Sequence, residues 1–234
     1  MKGLIRKILY FLGLEGISRL VILDSALKAD GWFLSVKKKQ AVNKNGKPIP
    51  WVTYPFIDFI DGRLNESMDV FEFGAGNSSL YFANRVKSVT SIEHHPDWFK
   101  DISTNKEYQL DNLSMHLVEI PEELSKLGYH KMAFTDNEND YVLSLRDSER
   151  KYDIVVVDGL FRNTCMKNCI SNLKPGGVVF LDNTSEHYIE DLKSGIEHVI
   201  NLGFKRLDFH GIGPIYSRKS CTSIFYRPNN CLDI

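Results

Sequence analysis

Val70-Phe71-Glu72-Phe73-Gly74-Ala75-Gly76-Asn77-Ser78-Ser79, with Ser91-Ile92-Glu93 further on, is the stretch that decides the fold. It reads as a buried strand, a glycine turn, the start of a helix, and a second strand ending in a carboxylate. Gly74 and Gly76 let backbone approach a ligand where a Cβ would collide. Asn77 or Ser78 can cap the helix that Leu80, Ala83 and Val86 pack down. Such a turn handles nucleotides. A dinucleotide fingerprint asks for a third glycine three positions after Gly76, and Ser79 stands there instead, which argues against NAD. Glu72 puts negative charge beside the turn, where it would repel a pyrophosphate and suit an ammonium group. Glu93 lies 19 residues past Gly74 and can accept both hydroxyls of a ribose.

The chain of 234 residues, 43% hydrophobic, is long enough for one α/β domain with decoration. Its formal net charge of -1 gives no sign of the broad basic surface that holds nucleic acid, so no nucleic-acid partner is expected. Cys165, Cys169, Cys221 and Cys231 form no paired metal-binding motif and are too few for a disulfide scaffold, which fits a reducing, cytoplasmic setting.

Residues 2–23 read as an amphipathic helix pair, its charges interrupting any run long enough to span a bilayer. A helical lid or dimer face is the favoured role, with weak membrane-surface contact the alternative. Asn45-Gly46 marks a turn in an irregular, proline-rich stretch reaching Pro55; its aromatic residues, Trp51 among them, either line an acceptor pocket or pack on the core. Residues 1–64 are thus read as a helical and loop extension, and residues 65–234 as the ligand-binding domain. Beyond Glu93, His94, His95 and Trp98 lie where the base of a nucleotide would be held. A third strand over 113–117 leads to Glu119 and Ile120, which are placed at the border of that base. Little chemistry is expected between 121 and 151. Strands over 151–157 and 178–181 follow, the second after a turn at 174–177, with helices over 165–173 and 188–202. Strands over 204–209 and 222–226 make a closing antiparallel hairpin. The expected architecture is a Rossmann-like, doubly wound, seven-stranded and mostly parallel α/β sheet.

Ligands of open α/β sheets bind outside the carboxyl ends of the strands. Glu72, Glu93, Asp158, Asp182 and Asn183 all fall at such ends, so their polar groups converge on one edge. Asp158, Asp182 and Asn183 supply the hard oxygen ligands that a magnesium ion accepts. Together, Glu-x-Gly-x-Gly and the later Glu93 resemble the S-adenosylmethionine site of class I methyltransferases. The resemblance implies that the turn from Glu72 and Gly74 through Ala75, Gly76, Asn77, Ser78 and Ser79 holds the methionine portion. Glu93 would hold the ribose, and His94, Trp98, Glu119 and Asp158 would border the rest of the cofactor. The Asp158, Asp182, Asn183 trio is similar to the metal site of catechol-type and sugar O-methyltransferases, where Mg2+ lowers the pKa of an acceptor hydroxyl. Over nearly the whole chain the sequence also looks like bacterial methyltransferases found near polysaccharide biosynthesis genes, through Gly31-Trp32-Phe33, Pro48-Ile49-Pro50-Trp51, Asp158-Gly159 and Thr222-Ser223-Ile224-Phe225-Tyr226-Arg227.

That likeness implies methylation of a small hydroxylated or saccharide acceptor. The catechol-type enzymes carry a lysine base after the first metal Asp, and here that neighbourhood offers Arg162, a poor base that can clamp an anion. His187 is the candidate proton acceptor, with a helix-surface histidine the competing reading. Two rival functions remain at this stage: an NAD(P)-dependent oxidoreductase, disfavoured by Ser79 and the lack of a Tyr-x-x-x-Lys pair, and a non-catalytic binding module on the same fold.

Overall fold

Apolar side chains on alternate faces of consecutive buried strands build the sheet. The strands are β1 (Asp69–Phe73), β2 (Ser88–Glu93), β3 (Leu113–Leu117), β4 (Tyr152–Val157), β5 (Leu173–Asp182), β6 (Lys205–Gly211) and β7 (Ser220–Tyr226). This is a computed structural model that describes residues 2–14, 16 and 26–234. The sheet order is β3-β2-β1-β4-β5-β7-β6. β1 to β5 pair in parallel, and β7 lies antiparallel between β5 and β6. The seven-stranded sheet with its closing hairpin is therefore as expected from sequence.

Two hydrophobic layers follow from the period-two alternation along each strand. Phe71, Phe73, Val155, Val157, Val179 and Leu181 pack toward the helices Asp140–Asp147, Arg162–Cys169 and Lys193–Asn201. Val70, Ile154, Val156, Val178 and Phe180 pack the other way, toward the helices Tyr54–Asp61 and Asn77–Ala83. Such doubly covered strands must be continuously apolar, and Ile154 to Val157 are.

Three elements differ from the reading of the sequence. β5 begins at Leu173, because Pro175-Gly176-Gly177 does not leave the sheet. Tyr152 pairs with Leu173 while Ile154 pairs with Val178, and the surplus residues bulge through Gly176 at φ 78°. The late helix covers only Lys193–Asn201, preceded by turns, and the helix expected over 165–173 starts earlier, at Arg162. Of the N-terminal helix pair, Lys2–Phe11 is helical, and most of the second member lies outside the described residues. Among the described residues no helix is long and apolar enough to cross a membrane.

The sheet edges are tied differently. At the amino ends, Lys174 Nζ bridges Asp69 Oδ2 at 2.6 Å and Asp153 Oδ2 at 2.7 Å. At the carboxyl ends, the irregular stretch before Tyr54 folds over the hairpin strands. Asn43 Oδ1 accepts from the amides of Asn45 and Lys47, closing the turn that bridges Val42 to Pro48. Downstream, the Thr53 amide donates to Thr222 Oγ1 and the Tyr54 amide to the Ile212 carbonyl. This docking carries Trp51 to the edge where ligands of such sheets bind.

Gly159, which follows β4, is packed against that same edge. A Cβ there would lie 2.0 Å from the Tyr141 hydroxyl and 3.0 Å from the Phe73 carbonyl oxygen. Gly159→Ala should therefore lower stability by about 1–3 kcal/mol through overpacking. Urea unfolding checks this: the midpoint should fall with an unchanged slope, and an unchanged midpoint would refute the packing account.

Candidate active site

Strand order reverses between β1 and β4, and the crevice expected at such a switch point is present. A cavity of about 470 Å³ opens there, walled by the turn after β1, by Glu93, His94 and His95 after β2, and by Asp158 and Gly159 after β4. Lys39, Gln40, Ala41 and Trp51 of the N-terminal stretch close another side, and Trp98 and Tyr129 complete it.

The turn is held by its own side chains. Gly74 sits at φ 103°, a left-handed conformation that glycine adopts without cost. A Cβ on Gly76 would meet nothing nearer than Trp98 at 3.8 Å, so its missing side chain leaves space in the cavity. The helix Asn77–Ala83 is capped from within: Ser79 Oγ, fully buried, accepts from the Gly76 amide at 3.2 Å. Ser79 thus has a structural reason to stand where a dinucleotide fold would have glycine. Asn77 does not cap the helix. Its Nδ2 donates to the Ala41 carbonyl at 2.8 Å, and its Oδ1 accepts from the Tyr108 hydroxyl, which fastens the N-terminal stretch across the cavity. Ser78 lines the wall.

Glu72 is 1% exposed. Its Oε2 accepts from Ser91 Oγ at 2.7 Å, whereas its Oε1 has no partner. Burial pushes this carboxyl up to about 7, against the pull of the serine hydroxyls around it. Glu93 is the opposite case. Burial raises it, but the His94 side chain and the amides of His95 and Ala75 more than offset this and hold it below the usual carboxylate value. Glu93 Oε1 accepts from the amides of His94 and His95, both at 2.8 Å, and Oε2 from the Ala75 amide at 3.2 Å. With about four lone-pair sites on a carboxylate, one acceptor position remains, on Oε2. This geometry has room for one hydroxyl rather than the pair expected from sequence.

His94, His95 and Trp98 stand on the cavity wall as expected, with Trp98 Nε1 fixed on the Ala75 carbonyl at 2.8 Å. Glu119 does not: it is exposed beyond the end of β3 and is absent from the lining. His187 is likewise exposed, on the turns after β5, its ring against Tyr188 and outside the cavity. Tyr129 was missed, since it falls in the stretch read as carrying little chemistry. The only signal was Gly128, whose φ of 77° starts the helix Tyr129–Phe134.

Asp158, Asp182 and Asn183 do come together, but around Arg162. The guanidinium is 2% exposed and all five of its N–H groups are used. Nε donates to the Gly159 carbonyl at 3.0 Å. Nη1 donates to the Asp182 carbonyl at 2.8 Å and to Asn183 Oδ1 at 2.9 Å, and Nη2 to the Asp158 carbonyl at 3.2 Å and Asp158 Oδ1 at 3.1 Å. Asp182 Oδ1 meanwhile accepts from Thr222 Oγ1 at 2.5 Å. A cleft of only about 10 Å³ reaches Asp182 from Asp158, too small for a ligand. These donors do not fit a divalent cation: a fixed positive group already occupies their centre. Nor can Arg162 clamp a ligand without giving up a bond. Among the described residues, the His, Cys and acidic groups within reach of a common ion are Asp208, His210 and Cys221, on the outer hairpin.

Asp158, next to the cavity, keeps its side chain about a third exposed. Burial and the neighbouring Asp182 hold its carboxyl above the ordinary range despite Arg162.

No protein-family model and no curated protein matches the sequence. Solved structures match the fold. Precorrin-6y C5,15-methyltransferase from Geobacter metallireducens GS-15 aligns with a TM-score of 0.52 and 15% identity, over 81% of this chain and 96% of that one. The chain has the Rossmann-like methyltransferase fold. Precorrin 8w decarboxylase from Methanobacterium thermoautotrophicum aligns at 0.50 and 18% identity, over 82% and 97% of the two chains. Spermidine synthase in complex with the transition-state analogue AdoDATO aligns at 0.50 and 13%, over 74% of this chain and 57% of that one. At these identities the likeness carries the fold alone, and the methyltransferase fold itself supports more than one chemistry.

Arg162→Met would leave two carboxylates without their counter-charge. A loss of about 3–5 kcal/mol is expected, the usual result of removing one partner of a buried ion pair. Arg162→Lys should recover part of it, since an ammonium can make at most three of the five bonds. Equal stability of the Met variant and the parent in urea would show that the knot contributes nothing.

Proposed function

We propose that the chain is an S-adenosylmethionine-dependent methyltransferase acting on oxygen of a sugar or other small hydroxylated acceptor. The observation that carries this reading is Glu72. A cavity-lining carboxylate with one oxygen unpaired, beside a glycine turn that keeps space open, suits a ligand presenting a cation at that point. The ammonium of a methionine moiety is such a cation. Glu93 Oε2 offers its remaining lone pair to a ribose hydroxyl, and His94, His95 and Trp98 supply a wall for the adenine.

S-adenosylmethionine, when bound, supplies an electrophilic methyl on sulfur. The protein's part is alignment, exclusion of water and removal of a proton from the acceptor. Asp158 takes that last role. It borders the cavity, its raised pKa keeps it basic enough to accept a proton near neutral pH, and Arg162 fixes one of its oxygens. Arg162 then does as a permanent charge what an ion does in catechol-type sites: it stabilises the deprotonated state of the assembly. Support for a saccharide comes from Trp51 and Tyr216, whose rings lie 5.5 Å apart, 40% and 43% exposed, with Trp51 on the cavity wall. Exposed paired rings suit the apolar faces of a sugar. Residues 1–64 thereby contribute the acceptor side of the site.

Isothermal titration of S-adenosylmethionine tests the reading. Saturable binding is expected, lost in Glu93→Ala and unaffected by magnesium or by chelator. A folded protein that binds none would leave the non-catalytic module as the better account. Asp158→Asn should retain binding and lose turnover by roughly 100-fold or more, the usual scale of a general base.

Glu72 adds a pH dependence. Its folded pKa, about 7, lies above its ordinary value of 4.5, so its contribution to stability is complete below 4.5 and is lost as pH rises through 7. The loss is on the order of 3 kcal/mol for the ligand-free protein. Pairing with a cation requires the ionised form, so affinity should rise over the same interval. Glu72→Gln should flatten both profiles, measured by thermal melts and titration across that range. Profiles unchanged by the substitution would remove Glu72 from the account.

A further inference from the structure

Among the described residues, the helix Lys2–Phe11 and the residues just beyond it expose apolar side chains. Leu4 is 66% exposed, Ile8 51%, Phe11 89% and Leu12 57%. At 100° per residue these four fall on one side of the helix, within an arc of about 100°. By the same spacing the sequence positions Lys2 and Arg6 fall on the other side and Lys7 borders the apolar arc, and from residue 2 to residue 14 there is no acidic residue. A helix with this pattern has an apolar face and a mixed face, shared with Tyr10, whose charges are all basic.

The charge is segregated across the whole chain as well. Residues 1–47 hold ten lysines and arginines against three acids, whereas residues 48–234 hold 19 against 27. A net charge of -1 therefore conceals a positive N-terminal fifth joined to a negative body. The positive part carries a second exposed apolar and basic surface on the helix Trp32–Lys38, where Phe33 and Val36 are 36% and 41% exposed beside the exposed Lys37 and Lys38.

We infer that the N-terminal region docks on an anionic lipid surface, with the helix Lys2–Phe11 lying in the headgroup plane. Both faces of the helix are then satisfied. Leu4, Ile8, Phe11 and Leu12 leave water for the acyl boundary, while the basic positions stay among the anionic headgroups. A second copy of the chain would bring its own basic N-terminal region against this one if the apolar faces met, placing like charges together. The acidic body is repelled by the same surface, so attraction at one end and repulsion at the other orient the molecule. The N-terminal stretch that meets the lipid also supplies Lys39, Gln40, Ala41 and Trp51 to the cavity wall, so docking places the cavity close to the surface. The inference does not depend on the proposed reaction.

Flotation of the full chain with vesicles decides it. The protein should rise with vesicles of equal parts phosphatidylglycerol and phosphatidylcholine, remain behind with phosphatidylcholine alone, and be released by salt. Each basic residue near an anionic surface is worth roughly fivefold in partitioning, so Arg6→Glu with Lys7→Glu should reduce flotation by more than roughly tenfold. Ile8→Glu with Phe11→Glu should do likewise through the apolar face. Both variants should keep the parent's circular dichroism and S-adenosylmethionine titration, since neither pair lines the cavity. A parent protein that stays behind with anionic vesicles, or variants that float as well as the parent, would overturn the inference. So would loss of self-association in the Ile8 and Phe11 variant, seen by sedimentation without any vesicle binding, because the helix would then serve a second copy.

Discussion

The guanidinium of Arg162, enclosed by five hydrogen bonds at the carboxyl ends of β4 and β5, is the constraint on which the working edge of this fold depends. Two carboxylates are brought together there because both strands end in Asp, and in low dielectric neither could stay ionised unassisted. One fixed cation solves this for both strands at once. It also sets backbone geometry. Phe161 just before Arg162 and Asn183 just after Asp182 both adopt left-handed conformations, at φ 49° and 61°. Such conformations cost roughly 1 kcal/mol each and persist where surrounding bonds over-determine them.

The two ends of the sheet show how environment assigns different work to the same pair of charges. At the amino end, Lys174 reaches Asp69 and Asp153 on a flexible stem that is about one third exposed. Asp69 is itself buried, and its carboxyl still falls below its ordinary value because Lys174 and Ser88 together outweigh desolvation. That clasp ties strands. At the carboxyl end desolvation wins, and Asp158 and Asp182 remain above the carboxylate range in spite of the arginine. A carboxyl poised in this way, bordering a cavity, is able to exchange a proton near neutral pH, which Asp69 is not.

The strands themselves and the sheet edge that carries the cavity were legible in the sequence because they depend on local patterns. Buried runs such as Ile154 to Val157, and carboxylates just past each strand, need no partner to be recognised. Three things were not legible. Pro175-Gly176-Gly177 has the composition of a turn, and only the pairing of β5 with β4 makes it a bulge. Asp158, Asp182 and Asn183 have the composition of a cation site, and sequence spacing cannot say that Arg162 turns inward to fill it. Tyr129 reaches the cavity through the packing of a short helix with no signature beyond Gly128. His187 fails for the converse reason: nearness in sequence to Asp182 does not bring it to the cavity once the chain turns away after β5.

Glu72 and Arg162 make an instructive pair, because the fold treats two buried charges on one sheet edge in opposite ways. Arg162 has every donor satisfied and no spare capacity, so it can position but not bind. Glu72 keeps an unpaired oxygen beside open space, at a cost in the ligand-free protein on the order of 1–3 kcal/mol for an unmet acceptor. Nothing in the packing requires that cost. Ser91 partners one carboxylate oxygen, and a neutral side chain would spare the other. Sequences keep such local conflicts where a ligand relieves them, and a cation at the glycine turn would do so. The same edge then contains a cation with every donor satisfied, Arg162, and a carboxylate with one oxygen still open, Glu72.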